Sequence, residues 1–224
     1  MKVSGATERL IERLAADATP MRRLPPPAMR TVLWLLPVAA LAAIGILVFS
    51  DLRTFLERAR DPKLAIELAA TLVTGIAGVL AAFELSLPDR SRLWALLPLP
   101  TLALWIASSG YSCYRHWIAF GPEGWEIGES SHCLAFILAT GLPLGASLLL
   151  LLRRACPLSP IPVAAMGGLG VAGIAAFLLQ FFHPFDVTFM DLGVHLVAVG
   201  LVVAVLSLLA KLPPRDAAAR PGAR

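Results

Sequence analysis

The sequence has little charge and few cysteines. Charged residues fill 15% of its 224 positions, against roughly 25% in a soluble domain, which excludes an ordinary soluble enzyme. Three cysteines are too few for a disulfide scaffold. A nucleotide-binding loop, a hydrolase elbow and a zinc-protease pair are all absent, so conventional catalysis has no motif to rest on. Also missing are a central ladder of acids in an apolar run and a run broken in its middle by Gly-Pro. A proton- or sodium-driven transporter normally shows one or the other. No small-residue cleavage site follows a short apolar core near the start, so the first apolar run is expected to be retained rather than removed as a signal peptide.

Hydrocarbon is what the chain has in excess. Hydrophobic residues make up 58% of it, and its mean hydropathy is +0.76. About 20 apolar residues, rising about 1.5 Å each, cross the hydrocarbon layer. Six stretches qualify: Thr31–Ser50, Leu64–Leu87, Leu93–Ser112, Ser131–Leu152, Ile161–Phe182 and Asp191–Ala210. Open strands would leave backbone groups unpaired in lipid. The predicted fold is therefore all-α, a polytopic six-helix transmembrane bundle with short loops. Residues 1–30 form a tail before it and 211–224 a tail after it.

Lys and Arg set the orientation. If the N-terminus lies inside, the inner segments hold fourteen of them, including Arg22, Arg23, Arg153, Arg154 and Lys211. The outer loops hold five: Arg53, Arg58, Arg60, Lys63 and Arg115. Both termini are thus expected in the cytoplasm, and the net charge of +4 reflects topology rather than nucleic-acid binding. Glu67 and Glu84 lie near the two ends of the second run, where snorkelling is expected. Trp94, Trp105, Trp117 and Trp125 read mostly as interface anchors. Small residues recur every fourth position at Ala70, Thr74, Gly78 and Ala82, at Ala164, Gly168, Ala172 and Ala176, and at Gly141 and Gly145. Such stripes let helices approach closely in lipid and leave a homodimer open.

The tail contains a short amphipathic pattern. Thr7 can cap a helix running to Ala18 that places Leu10, Ile11, Leu14, Ala15 and Ala18 on one side. Pro20 ends it, and Pro25, Pro26 and Pro27 make a stiff spacer to the membrane. A helix this short is marginal alone in water, so its apolar stripe needs a surface. The inner leaflet, the chain's own loops or a groove on a cytoplasmic partner would each serve.

A polar cluster marks the opposite face. His116, His132, His183 and His195, Cys113 and Cys133, and Asp186 and Asp191 all fall at or near outer span ends, whereas Cys156 is on the inner side. Asp191 and His195 share one helix face. Cysteine and histidine suit soft or borderline metals, and cysteine also supports redox exchange. The spacings match no recognised metal motif.

The run LIERLAADATPMRRLPPP before six spans, GPEG over Gly121–Gly124, SSHCLAFI over Ser130–Ile137 and HPFD before the last span together resemble the NrsF-type membrane anti-sigma factors of bacteria. The resemblance implies an inner-membrane protein whose tail holds an extracytoplasmic-function sigma factor. It also implies release on an oxidative or heavy-metal signal. Leu10, Ile11 and Leu14 fall in the matching tail, and Cys133 matches the first of two signature cysteines. At the second place stand Phe182, His183 and Pro184. Two sensors follow from the resemblance: Cys133 with Cys113 as the second thiol, or His132, Cys133 and His183 around a transient heavy-metal ion. The rival readings are a membrane oxidoreductase and a metal-handling permease using the same Cys/His cluster.

Overall fold

The computed structural model of the chain describes residues 5–16, 24–121, 127–182 and 189–212. For residues 6, 116, 119, 120, 127–130, 189 and 190 this description covers the backbone only. Among the described residues the chain is all helix: α1 Gly5–Ala16, α2 Pro27–Phe49, α3 Leu52–Arg58, α4 Pro62–Leu85, α5 Leu99–Phe120, α6 Ile127–Arg153, α7 Pro160–Leu179 and α8 Phe189–Ala210. A 3-10 turn, Arg92–Leu96, leads into α5. The helices α2, α4, α5 and α7 carry proline in their first two positions, where the missing N–H has no intrahelical partner to lose. Six helices are long and apolar enough to cross a membrane, so this is a multi-pass membrane protein.

Small residues decide which helix is central. The α7 span is 72% buried, against 11% for α2. A Cβ on Gly170 would stand 2.6 Å from the Val79 backbone N, and one on Gly78 2.7 Å from the Gly170 Cα, so α4 and α7 meet backbone to backbone. Gly168 faces Val203 of α8, and Gly167 faces Leu148 of α6. Glycine on three faces lets α7 take three neighbours closely. The α4–α7 seam thus runs through Gly75, Gly78, Gly170 and Gly173, while Gly168 of the fourth-position stripe turns to α8. Gly141 and Gly145 face Val202 and Leu206, also of α8. These glycines all face neighbouring helices of the same chain. Around the centre, α6 packs on α7 and α8, α5 on α4 and α8, and α2 on α4.

Several boundaries differ from the sequence expectation. The first helix begins at Gly5, so Thr7 sits inside its first turn instead of capping it. Pro27 belongs to α2 rather than to a spacer. The helix α5 runs on to Phe120 and α6 starts at Ile127, so Cys113 and Cys133 stand within helices. The polar loop after α2 folds into α3, capped by Asp51, whose side chain accepts from the N–H groups of Arg53 and Thr54. The ring of Phe55 in α3 stacks on Phe181 with centroids 4.2 Å apart, holding α3 against the end of α7.

Candidate functional site

Six antiparallel crossings give the bundle two ends. The arm end gathers the start of α2 with the finishes of α4, α6 and α8, and the far end gathers the start of α4 with the finishes of α5 and α7. Each holds a polar centre that hydropathy did not reveal.

At the arm end Arg30, in the first turn of α2, is only 7% exposed. A buried guanidinium must be compensated by partners. Its Nη1 donates to Ser86 Oγ at 3.3 Å, its Nη2 to the Leu151 carbonyl at 3.2 Å, and its Cζ lies 4.6 Å from the Phe83 ring centroid. One turn on, Trp34 donates through Nε1 to Ser147 Oγ at 3.1 Å. Arg30 and Trp34 therefore fasten the root of α2 to α4 and α6. Beyond Val38 no residue of α2 is fully buried, though Ala42 and Ile46 still pack half-buried against the core. Nearby, Arg90 Nε stands 3.2 Å from Glu84 Oε2. The donor is not aligned, which leaves an ion pair without a hydrogen bond. Arg153 donates through Nη2 to the Leu209 carbonyl, tying α6 to α8.

At the far end Glu67 turns inward instead of snorkelling and is also 7% exposed. Its Oε1 accepts from Ser109 Oγ of α5 at 2.7 Å and from Gln180 Nε2, just after α7, at 3.5 Å. A cavity of about 40 Å³ opens beside it, lined also by Trp105 and His195, with room for roughly two or three waters. His195 donates from Nδ1 to the Asp191 carbonyl at 2.6 Å, one turn back in α8. Cys113 is buried within electrostatic reach of Glu67 and Asp191, and Arg58 of α3 is within reach of Glu67.

Of the expected sensor residues, Cys113, His132 and Cys133 fall among those described. Cys113 sits beside the Glu67 centre, whereas Cys133 is wholly buried in the main apolar core with Ile137, Ala198 and Val202. His132, the next residue along α6, is exposed, as the 100° turn between neighbours requires. Cys113 and Cys133 are both thiols, as is the exposed Cys156. His183, Asp186 and Trp125 lie outside the described residues, as does the side chain of His116. Among the described residues no three His, Cys, Asp or Glu side chains gather into a metal site. His132 and Cys133 point about 100° apart around α6, one exposed and the other buried.

The arm itself is open. Leu10, Ile11 and Leu14 are 57%, 57% and 63% exposed, so no loop among the described residues covers the apolar stripe of α1. Glu8 in its first turn and Arg13 in its last complement the helix dipole.

The far-end centre was legible in one respect. Glu67 stands three, seven and eleven positions before Ala70, Thr74 and Gly78, on the small-residue face that packs rather than on a lipid face. Arg30, Trp34 and Val38 share a face in the same way. Of the proposed interface anchors, Trp105 is instead buried and Trp117 is exposed.

No curated protein and no solved structure matches the chain. A family match covers residues 14–214, from the last turns of α1 through every span, and leaves Leu10 and Ile11 just outside it. With nearly the whole chain matched, the protein belongs to the NrsF family, described as negative regulator of sigma F.

Proposed function

We propose that the protein is an inner-membrane anti-sigma factor. Its arm α1 holds an extracytoplasmic-function sigma factor inactive at the cytoplasmic face, and an oxidative or heavy-metal signal at the far end releases it. The role is binding rather than catalysis. The observation that carries the reading is the uncovered stripe of Leu10, Ile11 and Leu14 in a family of sigma regulators. Burying what remains exposed of those three side chains in a partner's groove supplies roughly 3–5 kcal/mol, enough to offset the ordering of a short helix. The excess of Lys and Arg at the arm end supports placing it in the cytoplasm.

The two ends communicate through α4 and α6. The first carries Glu67 at the far end and Ser86 at the arm end, and the second carries Cys133 and Leu151 likewise. Both partners of Arg30 thus sit on helices that reach the sensor end, so a shift of either helix moves the root of the arm. Couplings of this kind are about 1–3 kcal/mol, or roughly 5- to 150-fold in affinity. A thiol reacts through its exposed thiolate, so a signal read at Cys133, with Cys113 as second thiol, must first loosen the packing of α6 against α7 and α8. The same loosening is what lets His132 and His183 approach Cys133 for a heavy-metal ion.

The test uses membranes carrying the full chain together with each extracytoplasmic-function sigma factor of the source genome in turn. Wild type retains the sigma factor, and the double variant Leu10→Asp with Leu14→Asp loses it by about tenfold or more. Cys133→Ser retains it but no longer releases it on oxidant or metal, while Cys156→Ser behaves as wild type. Retention by the double aspartate variant removes α1 from the mechanism, and full release from Cys133→Ser removes the thiol.

A further inference from the structure

A second pocket lies at the arm end, on the side of α6 that faces α8. It is about 310 Å³ in volume and is bounded by the end of α6, the turn into α7 and the end of α8. Leu149, Leu152 and Val163 form apolar walls, Arg153 and Lys211 supply two cations, and Cys156 stands at the rim. No acid lines it. We propose that this pocket binds one anionic phospholipid, its phosphate between Arg153 and Lys211 and its first acyl carbons along the leucine and valine wall.

Depth and charge select that occupant. Arg153 is the last residue of α6, Lys211 the first after α8, and Pro160 the first of α7. The pocket thus straddles the level at which three apolar spans stop and headgroups begin. Basic pockets at that level, between helices, recruit anionic headgroups. Arg153 uses Nη2 on the carbonyls of Leu209 and Leu212, which fixes the guanidinium and leaves Nε and Nη1 to donate. Charge-assisted bonds to phosphate are among the stronger ones available. Among the described residues the Lys211 ammonium makes no hydrogen bond or ion pair. The chain's own last segment does not complement the pocket, because residues 213–224 carry Arg215, Arg220 and Arg224 against Asp216 alone. A soluble anion would leave the apolar wall bare. A bound lipid brace across α6 and α8 would stand beside the helix end that holds Arg30 through Leu151.

Cys156 is exposed whereas Cys113 and Cys133 are buried, so alkylation of Cys156 reports on the rim. The full chain in a nonionic detergent is titrated with phosphatidylglycerol, with phosphatidylcholine of the same acyl chains, and with inorganic phosphate. Retained lipid is counted by native mass spectrometry. Phosphatidylglycerol is expected to slow alkylation and to stay bound. Phosphatidylcholine should do so more weakly and inorganic phosphate not at all. Lys211→Gln, which removes no internal bond, should weaken the phosphatidylglycerol effect about fivefold. Equal protection by the two lipids, protection by phosphate alone, or a Lys211→Gln variant with undiminished preference would each overturn the proposal. So would a Cys156 already shielded before any lipid is added, since the chain itself would then fill the pocket.

Discussion

Replacing Gly170 by alanine tests the central packing with a single methyl group. The added Cβ would lie 2.6 Å from the Val79 backbone N and 3.0 Å from the Gly75 carbonyl oxygen, both main-chain atoms of α4 that no rotamer change can move. Carbon contacts settle near 3.5–4.0 Å, so α4 and α7 must part by about 1 Å, which forfeits a quarter to a half of each contact across the seam. Overpacking of this kind costs about 1–3 kcal/mol. Gly200 of α8 is the matched control: a Cβ there meets nothing within 4 Å, and alanine gains up to about 1 kcal/mol over glycine in a helix. The two variants should differ by roughly 1–4 kcal/mol, or about 2–16 °C in midpoint for a chain of this length. Thermal unfolding of the purified protein in one detergent, followed by tryptophan fluorescence, measures the difference. Equal midpoints, or a Gly170→Ala variant more stable than Gly200→Ala, would refute backbone contact as the organising feature of the bundle.

The same unfolding assay separates two versions of Glu67. Glu67→Leu strips Ser109 and Gln180 of their acceptor and should cost about 1–3 kcal/mol, whereas Glu67→Gln keeps an acceptor oxygen and should cost less; a leucine variant as stable as wild type argues against the network. Arg30→Met keeps an unbranched stem but loses the cation over Phe83 and the bonds to Ser86 and Leu151. Relief of a buried charge offsets part of that loss, so a net cost of about 1–3 kcal/mol is expected, with a broader distance distribution between spin labels at exposed Leu24 and Leu150. An unchanged distribution would mean that the root of α2 is held by something else. Asp51 tests pH. The Thr54 hydroxyl above all, with the Thr54 N–H, holds its carboxyl below the usual range. A depressed folded value makes the cap fully effective above the ordinary carboxylate pKa and weaker as pH falls through that range. Amides of α3 should therefore exchange faster, beyond the intrinsic rate, only below about pH 4, and Asp51→Asn should abolish the dependence. Constant protection into strong acid would be the contrary result.

Hydropathy was enough to reveal the six crossings and the all-helical class, because the lipid requirement acts on long stretches of chain at once. It could not reveal which way Glu67 and Arg30 face. A charge near a span end reads as snorkelling unless its helix face is compared with the packing stripe, and Glu67 lies on that stripe. The Asp51–Lys63 segment hid α3 for a related reason: a seven-residue helix has no period long enough to stand out, and it is held by the Phe55–Phe181 stack, a tertiary contact. Cys133 was correctly placed near a span end, but its burial follows from α8 packing against α6 through Gly141 and Gly145, which no single span discloses. Fourth-position small residues were visible in α7, yet the α4 seam runs through Gly170 and Gly173, three apart, with the closest backbone approach at Gly170. A helix with glycine all round does not announce which neighbour takes which face.

The account stands on α1 being the surface that grips a sigma factor. A photo-crosslinking amino acid at Leu14, in otherwise native full-length protein in growing cells, asks this directly, with lipid-facing Leu41 of α2 as the control position. The prediction is a sigma-factor adduct from Leu14 that fades after the releasing stress, and none from Leu41. If irradiation at Leu14 yields only lipid or self-adducts while the sigma factor is present, the arm is a membrane-surface helix and the anti-sigma reading is contradicted.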